Sequence, residues 1–166
     1  LNVHDGMDDY VAAKRRIRQF QGAGDLCVYH PTNELAQQIA QSNISSQPVR
    51  YGVPDDGGVY AHEGYFMQNE QQICSVDELQ LIGAHNIENA CAALTVARAS
   101  HVSTEAIVRG LNQFTGLPHR LKFVREVDDV QYYDDSIATT PGSAIVALAA
   151  FDRPKVIILG GQSKGA

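Results

Sequence analysis

The run Phe114-Thr115-Gly116-Leu117-Pro118-His119-Arg120 limits what this chain can fold into more than any other stretch. Gly116 and Pro118 stop regular structure. A residue before proline is pushed away from helix, so Leu117 is expected to be extended. The stretches on either side must therefore build their own elements. An imidazole and a guanidinium follow the break at once. They are either an exposed pair past a helix end or two phosphate-competent groups at a domain joint, where ligand sites are common.

With 166 residues, 44% of them hydrophobic, the chain can bury one or two cores. Its net charge of −6 argues against a general nucleic-acid or membrane-surface binder. No apolar run approaches the ~20 residues of a membrane span. Cys27, Cys74 and Cys91 are odd in number and widely spaced, without a metal-ligand or CxxC pattern. They read as small buried hydrophobes of a reducing, cytoplasmic compartment. The first residue is not Met, and the last glycine turn stops where a helix is expected, so the sequence reads as part of a longer protein.

Asp5 can cap a helix over residues 7–20. Positions 7, 10, 11, 17 and 20 form an apolar stripe, and Lys14 falls on it; Arg15, Arg16 and Arg18 lie off it. A lysine on an inward stripe snorkels, finds a carboxylate, or loses its charge. A strand is expected over residues 25–30, a helix over 33–41, a polar loop over 42–48 and a strand over 49–53. A meander of short strands follows over 59–63, 65–68 and 71–75. Glu63-Gly64 and Asn69-Glu70 are its tight turns, and it reads as surface decoration.

The next helix covers residues 85–99. Asn86 and Asn89 are three apart and share a face at its first turn, continued by Ala90, Ala93 and Ala97. Two carboxamides there either bind a polar ring edge or phosphate, or Asn86 caps the helix and Asn89 meets water. Ser103 opens a helix ending at Phe114, with Ile107, Val108, Leu111 and Phe114 inward. Beyond the joint, strands are expected over 121–127 and 130–134 around an Asp128-Asp129 turn. A small, hydroxyl-rich loop, residues 135–143, precedes a helix over 144–150. Residues 155–159 read as a buried parallel strand before Gly160-Gly161. Strand, helix, strand and glycine turn form a doubly wound pattern, whose ligands belong at the carboxyl ends of strands. No GxxxxGK[ST] phosphate loop is present.

Ala12-Ala13-Lys14, His85-Asn86-Ile87-Glu88-Asn89-Ala90, residues 114–120, residues 135–141 and Leu159-Gly160-Gly161-Gln162-Ser163-Lys164 occur in this order. Together they resemble the Mur ligase family over the whole chain. The Gly-Leu-Pro-His-Arg run resembles the branch that adds D-glutamate to UDP-N-acetylmuramoyl-L-alanine. The resemblance implies an α/β chain: the later part of a central ATPase domain, residues 1–118, then the start of a Rossmann-like C-terminal domain, residues 119–166. The implied activity is a cytoplasmic, ATP- and Mg²⁺-dependent amide ligation for peptidoglycan, by a monomer, with this piece inactive by itself.

By the same resemblance, Lys14 is a carbamylated lysine that helps hold magnesium. Asn86 and Asn89 meet adenine. Arg120 and Asp135 meet the nucleotide from the second domain, with His119 nearby, and closure about residues 116–118 follows nucleotide binding. Thr139 and Lys164 hold the carboxylates of D-glutamate. The sequence departs from the family at two places. About seven residues of its usual Asn-x-x-x-Asp-His pattern are lacking between Val3 and His4, so His4 carries no metal role. Ile137 stands where many members have lysine. Three rivals are another Mur-type ligase or folylpolyglutamate synthase, a nucleotide-binding fragment or scaffold, and a dinucleotide oxidoreductase. The lack of GxGxxG argues against the last.

Overall fold

The structure is a computed structural model that describes residues 3–42, 45–54 and 57–161. The chain divides into two compact units, Leu1–Gln80 with Asn86–Thr115, and Leu81–His85 with Gly116–Ala166.

The first unit opens with α1, Met7–Gln19. Its N-cap is Gly6, which offers no side chain, so Asp5 does not cap it. Asp9 instead gathers this end, with Oδ2 accepting from the Asp5 N–H at 3.4 Å and lying 2.8 Å from His4 Nδ1. The expected inward stripe is overturned. Ile17 and Phe20 are exposed, and the residue that α1 buries is Arg18, 0% exposed. Its guanidinium reaches main-chain carbonyls that no aliphatic side chain can satisfy, and those acceptors decide which face turns inward.

β1, Leu26–Tyr29, pairs in parallel with β2, Gln47–Arg50, across α2, Glu34–Gln41. Asn33 caps α2 by accepting the Ala36 N–H at 3.0 Å. β2 begins two residues earlier than expected and contains Pro48. A two-stranded sheet has only edge strands, where a missing N–H is tolerated. Gly58 marks a close approach to β2, because a Cβ there would sit 1.8 Å from the Arg50 carbonyl oxygen.

β3, Tyr60–His62, β4, Tyr65–Gln68, and β5, Gln71–Ser75, form an antiparallel meander. It is not decoration. Val59 and Phe66 are fully buried and make the core with Ala90, Cys91, Leu94 and Ile107. The alternating pattern was legible, but the burial of one sheet face depended on α3, Ala84–Ala99, and α4, Thr104–Gln113, lying against it. Thr95 ties sheet to helix: its Oγ1 accepts the Val59 N–H at 2.8 Å and donates to the Cys91 carbonyl at 2.7 Å. α4 has Ser103 as its N-cap, and its expected inward residue Phe114 is exposed. Of the three cysteines only Cys91 is buried. Burial, then the Glu88 charge, pushes its thiol up to about 11, so it stays neutral and inert near pH 7.

Both hairpin turns of the meander have two residues at positive φ: Glu63 at 48° with Gly64 at 82°, and Asn69 at 49° with Glu70 at 63°. That geometry matches the right-handed twist of the flanking strands. Glu70 bears left-handed strain of about 1–2 kcal/mol, against a chain-entropy cost of glycine of about 0.5–1 kcal/mol. Glu70→Gly is therefore expected to raise stability by about 0.5–1 kcal/mol in urea unfolding. A lower midpoint would show that the turn is held by something other than its backbone.

The second unit contains β6, Lys122–Val127, paired antiparallel with β7, Val130–Asp134, and α5, Pro141–Ala149. Asp128 and Asp129, both at positive φ, turn the hairpin. Thr140 caps α5 through the Ser143 N–H, and Pro141 occupies its first turn. The strand expected over 155–159 is not formed. Those residues carry no strand pairing among the described residues, and Val156 and Ile158 are 96% and 94% exposed. An apolar run becomes a buried parallel strand only beside neighbouring strands, and among the described residues β6 and β7 pair only with each other. Among the described residues, β1 and β2 of the first unit are the one pair of named strands that run parallel. Among the described residues no helix is long and apolar enough to cross a membrane.

Candidate functional site

In the first unit a cleft of about 510 Å³ opens at the carboxyl ends of β1 and β2, lined among others by Tyr29, His30, Thr32, Tyr51 and Glu88. Parallel strands collect ligands there, because the loops leaving them are free to carry polar groups. The Thr32 N–H donates to His30 Nδ1 at 3.3 Å, and the Thr32 hydroxyl lies 2.8 Å from the same nitrogen. Nε2 faces Glu88 Oε1 at 3.6 Å. Tyr51 meets the imidazole edge-on, 5.2 Å between centroids, and burial followed by the Glu88 charge raises its phenol. The cleft thus offers a carboxylate beside aromatic faces, suited to a flat ring with donor groups. Sequence reasoning assigned it nothing. The available signal was His30-Pro31-Thr32 directly after a strand.

Asn86 and Asn89 do share a face of α3, with Asn89 Nδ2 donating to Asn86 Oδ1 at 3.4 Å. Asn86 lies inside the helix, which starts at Ala84, so the capping alternative fails. Glu88 lines the cleft, whereas neither Asn is among its lining residues. The small-residue face is split, since Ala90 is buried and Ala93 exposed. Lys14 is exposed, with Nζ 5.4 Å from the Tyr10 ring centroid, so the burial expected from its place on the stripe is absent. Among the described residues no group of three or more His, Cys, Asp or Glu is placed to hold a metal ion.

In the second unit, Asp134 and Asp135 reach the two residues that flank Arg120. His119 Nδ1 lies 2.7 Å from Asp134 Oδ2, and Asp135 Oδ1 accepts the Leu121 N–H at 2.9 Å. The Ile137 N–H donates to the His119 carbonyl at 3.2 Å. Gly116, at φ 89°, gives the chain its turn into this loop. The Ser136 N–H, donating to Oδ1, and then His119 lower the Asp134 carboxyl from 3.8 to about 2. Its folded pKa lies below the unfolded one, so its contribution is present above about pH 4 and is lost as pH falls towards 2. Thr139 is exposed just before the cap of α5. Lys164 lies outside the described residues. Asp134, the partner of His119, was missed because an acid two residues before a serine reads only as a turn.

The sequence matches the Mur ligase middle domain over residues 1–97, more than half of its length. The chain belongs to the Mur ligase family. Curated relatives extend the likeness over 99% of the chain. It is 33% identical over 166 residues to the UDP-N-acetylmuramoylalanine--D-glutamate ligase of Clostridium novyi (strain NT). It is 36% identical over 171 residues to the ligase of that name from Pelotomaculum thermopropionicum, and 36% over 167 residues to that of Streptococcus equi subsp. zooepidemicus. The chain spans 36–37% of the length of these relatives. Among solved structures it is similar to MurF from Acinetobacter baumannii, with a TM-score of 0.67 and 26% identity over 85% of this chain and 32% of that one. A second structure, the UDP-N-acetylmuramoylalanyl-D-glutamyl-2,6-diaminopimelate--D-alanyl-D-alanyl ligase of the same organism, gives 0.68 and 27% over 84% and 32%. The Mur ligase framework accounts for the α/β architecture of the chain and for its ordered motifs.

Proposed function

We propose that this chain is the later part of a cytoplasmic, ATP-dependent ligase that adds D-glutamate to UDP-N-acetylmuramoyl-L-alanine. Residues 1–118 belong to its central domain and 119–166 to its third. The observation that carries this reading is the likeness to D-glutamate ligases along 99% of the chain. In the reaction, a carboxylate oxygen of the UDP-linked substrate attacks the γ-phosphorus of ATP, and the bond to the β-phosphate oxygen breaks, leaving ADP and an acyl phosphate. The D-glutamate amine then attacks the acyl carbon, loses a proton and expels phosphate. Such chemistry depends on alignment and on fixed charges facing the transferred group more than on protein nucleophiles.

The roles assigned to this chain's residues follow from that reading. Asn86 and Asn89, whose carboxamides offer both donors and acceptors, contact adenine. The Arg120 guanidinium faces a phosphate, and Asp135 accepts from the nucleotide while steadying the loop. His119 lies beside them, and Thr139 and Lys164 hold the D-glutamate carboxylates. Lys14, as a carbamate, would contribute oxygen ligands to Mg²⁺, which would neutralise phosphate charge when bound. Among the described residues no group of three or more His, Cys, Asp or Glu adds to that ligand set.

Phosphate release from ATP by the complete protein tests the proposal. UDP-N-acetylmuramoyl-L-alanine is supplied with D-glutamate, and then with L-glutamate, L-lysine or glycine instead. Release confined to D-glutamate is expected, and release with another amino acid alone would sink the assignment. The structural likeness to a D-alanyl-D-alanyl ligase favours one second reading, so that dipeptide with its own UDP-linked acceptor belongs in the same panel.

A further inference from the structure

Arg120 sits between two residues with left-handed backbones, His119 at φ 63° and Leu121 at φ 44°. Non-glycine residues hold that conformation only where their surroundings fix it. Here two consecutive acids do so, one on each side. Asp134 Oδ2 lies 2.7 Å from the His119 ring, and Asp135 Oδ1 accepts the Leu121 N–H at 2.9 Å. The Ile137 N–H to the His119 carbonyl, 3.2 Å, closes the clasp on the first flank. Between these anchors the Arg120 guanidinium is exposed and has no hydrogen-bond partner among the described residues. The hydrogen bond that Asp134 Oδ1 accepts from the Ser136 N–H needs only a carbonyl oxygen, which an asparagine would also supply. The second oxygen and the negative charge are used on His119, and a charge-assisted contact is the stronger kind.

We propose that Asp134 is a positioning residue. It holds His119, and through it, together with Asp135, presents the Arg120 guanidinium to a phosphate group of the nucleotide. This rests on the ligase reading above for the identity of the anion. The clasp itself does not.

The test uses the complete protein and its Asp134→Asn and Asp134→Glu variants. Three quantities are read: the imidazole ¹⁵N resonances of His119, ADP affinity by calorimetry, and kcat with KM for ATP. Asp134→Asn should move the His119 resonances, weaken ADP about tenfold and raise KM for ATP by a similar factor, with kcat within about twofold. Asp134→Glu should restore part of the affinity, which distinguishes a lost contact from a damaged fold. Unmoved His119 resonances, or moved resonances with unchanged ADP affinity, overturn the proposal, as does a parent protein that binds no ADP. A parent that binds ADP yet turns nothing over sinks only the ligase reading, and the ADP arm still decides the role of Asp134.

Discussion

Arg18→Ala is expected to destabilise the protein by about 3–5 kcal/mol, lowering Tm by roughly 10 °C. Arg18 is wholly enclosed, and its fork spans three places in the chain. Nε donates to the Ala40 carbonyl at 2.7 Å, near the end of α2. One terminal nitrogen donates to the Ser46 carbonyl at 2.9 Å, just before β2, and the other to Gln21 Oε1 at 2.8 Å. Gln21 carries the network on, since its amide donates to the Leu26 carbonyl and its Oε1 also accepts from the Ser46 hydroxyl. Truncation strips two buried carbonyls of these donors, each costing about 1–3 kcal/mol, and leaves a void besides. Lysine at this position keeps a charge but cannot fork to two carbonyls, so Arg18→Lys should recover only part of the loss. Urea unfolding of the two variants beside the parent measures this. A loss below about 1 kcal/mol for Arg18→Ala would mean that water replaces the guanidinium and that the network adds little.

Lys14→Ala in the complete ligase is expected to lower kcat by about 10²–10³-fold, the scale found when one fixed group facing developing charge is removed. Lys14 lies exposed on α1, with Nζ 5.4 Å from the Tyr10 ring centroid, so its removal should leave stability within about 0.5 kcal/mol. This split is the informative part. A residue that matters for packing loses stability and activity together. One that serves the reaction loses activity alone. Steady-state kinetics paired with thermal unfolding reads both, and full activity in Lys14→Ala would remove the lysine from the proposed machinery.

Local patterns in the sequence were enough for most elements. Paired turn residues set the hairpins at 63–64, 69–70 and 128–129, because only a few residue pairs accept two positive φ angles. Ser103 caps its helix as read, because a side-chain oxygen beside free N–H groups acts within four residues. The ordered motifs around Lys14, Asn86, Asn89 and residues 116–120 carried the family resemblance, and the family match over residues 1–97 agrees with it.

What lay beyond local reach was decided by neighbours distant in sequence. The apolar period of α1 suggested that Lys14 turns inward, but the carbonyls of Ala40 and Ser46 draw in Arg18 instead. The meander looked like an outer ornament until the helices beyond it, α3 and α4, covered Phe66. Residues 155–159 have the composition of a buried strand, yet a strand is a property of its neighbours, and none pairs with it among the described residues. Asp134 shows the same limit at the candidate site. Its position before Asp135 and Ser136 marked a turn, but only the fold brings its second oxygen to His119, fifteen residues away. Short-range chemistry is written in adjacent residues, whereas burial and charge pairing belong to groups that meet only once the chain has closed on itself.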